Sequence, residues 1–151
     1  MKGDRLMSLH PSRSDEQQEA GRALINVLSS YLGVPLRGER LDFGDGCTVE
    51  IDGYSDDPPI FCEAYAHFGR LKGGQPDKVM TDAFKLVLAE KLLGKTYRKI
   101  LLFSDEAVEK HFMGKGWQAY CLRYHDIEVI VLPLPDELSK RVQGARRRQH
   151  R

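Results

Sequence analysis

The sequence predicts an α/β domain, a mixed sheet flanked by helices. Arg98–Ser104 (RKILLFS) and Asp126–Leu132 (DIEVIVL) are nearly continuous apolar runs, the pattern of strands covered on both faces. Three strand-like stretches separated by turn residues precede them, between Leu36 and Ala66. Long segments with helical apolar periodicity stand before and after those three. The resulting order is α-β-β-β-α-β-α-β-α. A three-strand meander followed by helix crossovers predicts that the later strands run parallel.

In chain order, residues 1–13 are expected to be a flexible N-terminus. Ser14 is a suitable N-cap with Asp15 and Glu16 in the first turn, and the helix it opens should end at Leu32, before Gly33 and Pro35. Ala20, Ala23, Leu24, Val27, Leu28 and Tyr31 form its expected buried stripe. A strand is expected near Leu36–Phe43, then a Gly-Asp-Gly turn at 44–46. In the next strand Val49 and Ile51 alternate with Glu50 and Asp52, the period of a half-buried strand. A turn at Ser55-Asp56-Asp57-Pro58 leads to Ile60–Ala66, apolar almost throughout except for Glu63.

Gly69, Gly73 and Gly74 mark a loop, and Pro76 suits the first turn of a helix that should reach Leu93 and stop at Gly94. Met80, Ala83, Phe84, Val87 and Leu88 form its expected apolar stripe, with Lys78, Asp82 and Lys85 on a solvated face. Helical pieces over Glu106–Met113 and Trp117–Tyr124 should separate the two apolar strands. A last helix, Asp136–Val142, leads into a basic tail. One domain over 14–142 and a tail over 143–151 are expected.

The formal net charge is +1, so whole-chain charge selects no partner. Residues 140–151 hold six cations and no acid, which leaves −5 on the remainder. Arg146, Arg147 and Arg148 are candidates for sequence-independent contact with nucleic-acid phosphates. Cys47, Cys62 and Cys121 are odd in number and show no CxxC spacing, an argument against a disulfide framework or structural zinc and in keeping with a reducing cytoplasm. No apolar segment is long enough to span a bilayer, so no membrane partner is expected.

The acids on the two hairpin strands carry the chemistry. A turn centred between Asp56 and Asp57 would set Phe61 opposite Asp52 and Glu63 opposite Glu50, with Asp52 and Glu63 diagonal neighbours. Glu50, Asp52 and Glu63 would then share one face. Acids this close repel one another, and Mg²⁺ or Mn²⁺ would remove the conflict. The alternative is a solvated face in which Glu63 pairs with a nearby Lys or Arg.

The order helix, three-strand meander, helix, strand, with Asp52 followed eleven residues later by Glu63, resembles the PD-(D/E)XK, or restriction-endonuclease-like, nuclease superfamily. The resemblance covers roughly residues 14–104. It implies a restriction-endonuclease-like core with an added α-β-α C-terminal extension, and Mg²⁺ (or Mn²⁺) held by Asp52 and Glu63. It also implies a contribution from the first helix through Glu19 or Glu16. The family's lysine falls at position 65, where this chain has Tyr65. Some branches supply that cation from the following loop or helix, which makes Lys72 and Lys78 candidates. Lys72 is a candidate for nucleic-acid contact as well. Gln75 resembles a helix glutamine of exonuclease-like branches.

The implied activity is a metal-dependent nuclease acting on nucleic acid, DNA ahead of RNA, with Tyr65 able to hydrogen-bond water or phosphate. The alternatives are a nuclease-fold domain without catalysis that binds nucleic acid or a protein partner, and a subunit active only in a larger complex. A homodimer is left open.

Overall fold

The computed structural model describes residues 13–66, 75–138 and 140. The chain is an α/β fold with a five-stranded mixed sheet in the order β1-β2-β3-β4-β5. Helix α1 (Arg13–Leu32) precedes the meander β1 (Arg37–Asp42), β2 (Thr48–Asp56) and β3 (Pro59–Tyr65). Helix α2 (Gln75–Leu93) then leads to β4 (Arg98–Phe103). A 3₁₀ turn (Glu106–Val108), the short α3 (Glu109–Phe112) and α4 (Trp117–Tyr124) lead to β5 (Ile127–Val131). The pairs β1/β2 and β2/β3 are antiparallel, whereas β3/β4 and β4/β5 are parallel.

The sheet separates two cores. On one face Ile51, Tyr54, Phe61, Leu101 and Phe103 pack with Val79, Ala83, Leu86 and Ala89 of α2. On the other, Ile60, Cys62, Ile100 and Leu102 pack with Ala20, Leu24, Ile25 and Leu28 of α1. Residues of β4 thus alternate between two buried faces, which explains its unbroken apolar run. Each such side chain contributes about 1.5–3 kcal/mol by leaving water, and Leu101→Ala would cost about 2–5 kcal/mol. Gly33 and Gly94 follow α1 and α2 with positive φ, and the Gly94 N–H donates to the Glu90 carbonyl, so both helices stop where an L side chain would be strained.

Both helix stripes differ from expectation. Tyr31 is 68% exposed, and Ile25 takes the buried place instead. On α2 the buried row is Val79, Ala83, Leu86 and Ala89, while Phe84 is 75% exposed and Leu88 is also outside. The helix is therefore turned by roughly a third of a turn from the expected stripe. Small residues at 83 and 89 face the sheet, and the turn brings Asp82 and Lys85 beside it.

The hairpin register also differs. Asp56 pairs with Pro59, so the reversal uses Asp57 and Pro58, one residue later than expected. Tyr54 is opposite Phe61 and Gly53 opposite Cys62. Continuing this register sets Asp52 across from Glu63. Glu50 instead pairs with Arg40 of β1 and is exposed.

Strand β2 also carries an extra residue. Between Arg37↔Tyr54 and Glu39↔Ile51, β1 advances two positions while β2 advances three. Ile51 and Tyr54 consequently face the same core although they are three positions apart, which simple alternation would put on opposite faces. The bulge falls at Asp52-Gly53. A Cβ on Gly53 would lie 2.8 Å from Ile25 Cδ1, so glycine lets α1 approach there. The three acids do not share a face: Glu50 and Asp52 alternate with buried Val49 and Ile51 as expected, whereas Glu63 lies between Phe61 and Tyr65 on the α2 side of the sheet.

Candidate functional site

At the bulge, side chains replace the β2/β3 ladder. The Asp52 N–H donates to Glu63 Oε2 at 2.9 Å, and the Ala64 N–H donates to Asp52 Oδ2 at 3.0 Å. Two carboxylates therefore hold the fork between the strands. Asp52 is exposed, whereas the Glu63 side chain is only 3% exposed. Burial pushes the Glu63 carboxyl up to about 8, and the neighbouring Asp52 adds to that rise. Lys85 opposes it.

Lys85 Nζ donates to Glu63 Oε1. This lysine, expected on a solvated face, reaches the site because α2 is turned toward the sheet. Its position was partly legible: Lys78, Asp82 and Lys85 recur at helical spacing, and a buried acid on a strand needs a partner. The Tyr65 hydroxyl donates to Asp82 Oδ2 at 2.6 Å, and its ring stacks on Phe103. Asp82 also faces Lys78 at 3.4 Å and Lys85 at 3.9 Å. Tyr65 thus orients an acid that lies between two lysines.

A cavity of about 520 Å³ opens on the α1 side of this fork, beside Asp52. Gln18, Arg22 and Ile25 of α1 line it, together with Asp52, Ala64 and Lys78. Of the sequence candidates, Asp52, Glu63, Tyr65 and Lys78 are linked by hydrogen bonds and ion pairs through Asp82 and Lys85, and of these Asp52 and Lys78 line the cavity. Glu19 is exposed, one residue around α1 from the cavity-lining Gln18, and does not line the cavity itself. Gln75 is half-buried at the start of α2 and does not line it either. Side-chain placement for Glu16, and all of Lys72, Arg146, Arg147 and Arg148, fall outside the described residues. Sequence reasoning missed Arg22, Gln18 and Lys85.

Among the described residues no group of three or more His, Cys, Asp or Glu side chains assembles for a metal. Asp52 and Glu63 form a pair, and a pair suits Mg²⁺, which takes one or two carboxylates and completes its shell with water and phosphate oxygens. The donors are all oxygen, and a cation would offset the burial and, after it, the Asp52 charge that together raise Glu63.

Comparisons with protein-family models, with curated proteins and with solved structures give no significant match. Among the described residues no helix is long and apolar enough to cross a membrane.

Proposed function

We propose that this chain is a divalent-metal-dependent nuclease of the restriction-endonuclease-like class, hydrolysing phosphodiester bonds in nucleic acid, DNA ahead of RNA. The observation that carries the reading is the β2/β3 fork, where Asp52 and Glu63 meet, a cavity opens beside Asp52 and a helix lysine reaches Glu63. The element order α1-β1-β2-β3-α2-β4 supports it as well.

Asp52 and Glu63 would hold Mg²⁺ or Mn²⁺, which when bound supplies a water of lowered pKa and positive charge against the phosphate. Lys85 and Lys78 stand on either side of Asp82, and Lys85 takes the part that the family gives to the lysine at position 65. In the resting protein Lys85 donates to Glu63; with substrate present its ammonium would stabilise charge developing on the phosphoryl oxygens. Arg22 and Lys78 make the cavity wall attractive to a phosphodiester.

Asp52→Asn and Glu63→Gln test this reading. Each should abolish Mn²⁺ binding by calorimetry and reduce cleavage of a plasmid or labelled oligonucleotide by at least about a thousandfold, with the fold kept by circular dichroism. Unchanged cleavage in both variants would remove Asp52 and Glu63 from the site.

A second reading, a nuclease-fold domain that binds without cleaving, is favoured by one observation. Tyr65 occupies the family's lysine position, and its hydroxyl is engaged by Asp82. Nucleic-acid binding with no cleavage under Mg²⁺, Mn²⁺ or Co²⁺ would select it.

A further inference from the structure

Helix α4 carries an aromatic face that the fold leaves uncovered. Ala119 and Leu122 seat it on the sheet. Trp117, Tyr120 and Tyr124, at i, i+3 and i+7, all point the other way and are 73%, 64% and 74% exposed. Met113, just before the helix, is 56% exposed. Leaving this much aromatic surface in water is unfavourable unless something covers it.

The charge around the face restricts what that is. Residues 110–125 contain Lys110, Lys115 and Arg123, two histidines and no acid. Lys110, Lys115 and Arg123 are exposed. This acid-free stretch sits in a chain whose first 139 residues sum to −5. Flat rings interleaved with cations suit a ligand with stacked planar groups on a polyanionic backbone.

Topology puts the start of α4 at the same end of the sheet as the fork. Because β4 and β5 are parallel, α4 must carry the chain back along the sheet, so its Trp117 end lies at the edge where β3 and β4 finish. That edge holds Glu63 and Tyr65. Ring contacts run from Tyr65 to Phe103 at 4.9 Å and from Phe103 to Phe112 at 5.8 Å, ending in α3.

We propose that the exposed face of α4 is a stacking platform for single-stranded nucleic acid, with Trp117, Tyr120 and Tyr124 receiving bases and Lys110 and Lys115 facing phosphates. The strand it holds continues toward the Asp52/Glu63 fork. The proposal rests on the reading of the substrate as nucleic acid, but not on cleavage.

Trp117 is the single tryptophan of the chain, so its emission reports on this surface alone. A short fluorescein-labelled oligothymidylate is titrated in EDTA, which keeps the strand intact, with anisotropy and tryptophan emission read together. Binding should quench Trp117. Trp117→Ala with Tyr120→Ala should weaken binding by about tenfold or more, and Trp117→Phe, which keeps a ring, by less than about threefold. Lys110→Ala with Lys115→Ala should reduce the salt slope by about 0.7 for every phosphate no longer neutralised.

Binding with unquenched Trp117 and undiminished affinity in the aromatic variants would overturn the platform and leave the proposed active site standing. Absence of binding by the unmodified chain would overturn the platform, and the proposed active site would stand or fall on the cleavage of Asp52→Asn and Glu63→Gln alone. Concentration-dependent dimerisation in sedimentation, abolished by the same aromatic variants, would assign the face to a second copy and overturn the platform.

Discussion

Two carboxylate–lysine clusters flank the same sheet, and they behave in opposite ways. At the fork, Glu63 faces one lysine and a second carboxylate, and its carboxyl is pushed up to about 8, first by burial and then by Asp52. At the far end, Glu90 of α2 accepts two hydrogen bonds from Lys99 Nζ, both at 2.8 Å, and one from the Tyr97 N–H, also at 2.8 Å. Burial works against Glu90 too, yet these donors hold it below the usual range. Asp56 nearby is also held low, by Lys95 first and then by the Tyr97 and Tyr54 hydroxyls. The residue types are the same at both ends. Both carboxylates accept donors at each oxygen, but Glu63 is the more deeply buried and has a like charge, Asp52, held close by the backbone of the fork. The far cluster therefore reads as structural, and the fork as a place where the fold tolerates an unfavourable arrangement that a cation would relieve.

Replacing the lysines one at a time tests that contrast most strongly. Lys85→Ala should lower cleavage by about a hundredfold to a thousandfold, and Lys78→Ala by less than about tenfold because Lys78 is mostly exposed. Lys99→Ala should leave the chemistry of the fork unchanged at temperatures where the protein stays folded. A single-turnover assay on the three variants makes the comparison, and equal losses from Lys85 and Lys99 would erase the distinction.

Stability should reverse the ranking. Lys99→Ala leaves a partly buried carboxylate without its cation and should cost about 3 kcal/mol in urea unfolding. Lys85→Ala should cost less than about 1 kcal/mol at neutral pH, because Glu63 can then keep its proton.

The pH dependence distinguishes the clusters by sign. Between the ordinary value near 4.5 and about 8, folded Glu63 retains a proton that the unfolded chain gives up. Its contribution to stability is therefore complete below that window and declines as pH rises through it, by at most about 1.4 kcal/mol per pH unit. Glu63→Gln should remove this decline. Glu90 has the opposite sign: its folded value is depressed, so its contribution is present above the ordinary value and is lost as pH falls through the lowered one. Unfolding curves at acidic, neutral and alkaline pH for the parent, Glu63→Gln and Glu90→Gln would show the two trends, and parallel curves would refute them.

The smallest effect concerns Tyr65. Tyr65→Phe keeps the ring on Phe103 and removes the hydroxyl that donates to Asp82, for a cost of about 1 kcal/mol. A loss of activity beyond about tenfold would show that Tyr65 does more than orient Asp82.

Much of the fold was legible in the order of residues. The apolar runs of β4 and β5, the Gly33 and Gly94 stops and the residue types around Asp57-Pro58 are local signals, and they yielded the α/β class, the succession of elements and most boundaries. That Asp52 and Glu63 lie close was legible too, as diagonal neighbours, since two acids on neighbouring apolar strands are costly and eleven residues is a hairpin's reach; their direct apposition was not. Less legible were the bulge at Asp52-Gly53 and the one-residue displacement of the turn. Each depends on how β2 meets both neighbours at once.

The rotation of α2 shows most clearly where local pattern stops. Met80, Phe84, Val87 and Leu88 have the periodicity of a buried stripe, and by that measure Lys85 belongs in solvent. Apolar periodicity identifies a helix, but several overlapping stripes on α2 are apolar enough to be its inner face. The choice among them rests on partners from elsewhere in the chain: Glu63 needing a cation, Tyr65 needing an acceptor, and Ala83 and Ala89 allowing close approach to the sheet. Residue order alone specified the elements, their succession and the two acids. Which lysine serves those acids was settled by the packing of α2 on the sheet, because that lysine is twenty-two residues from Glu63 and no local pattern reaches so far.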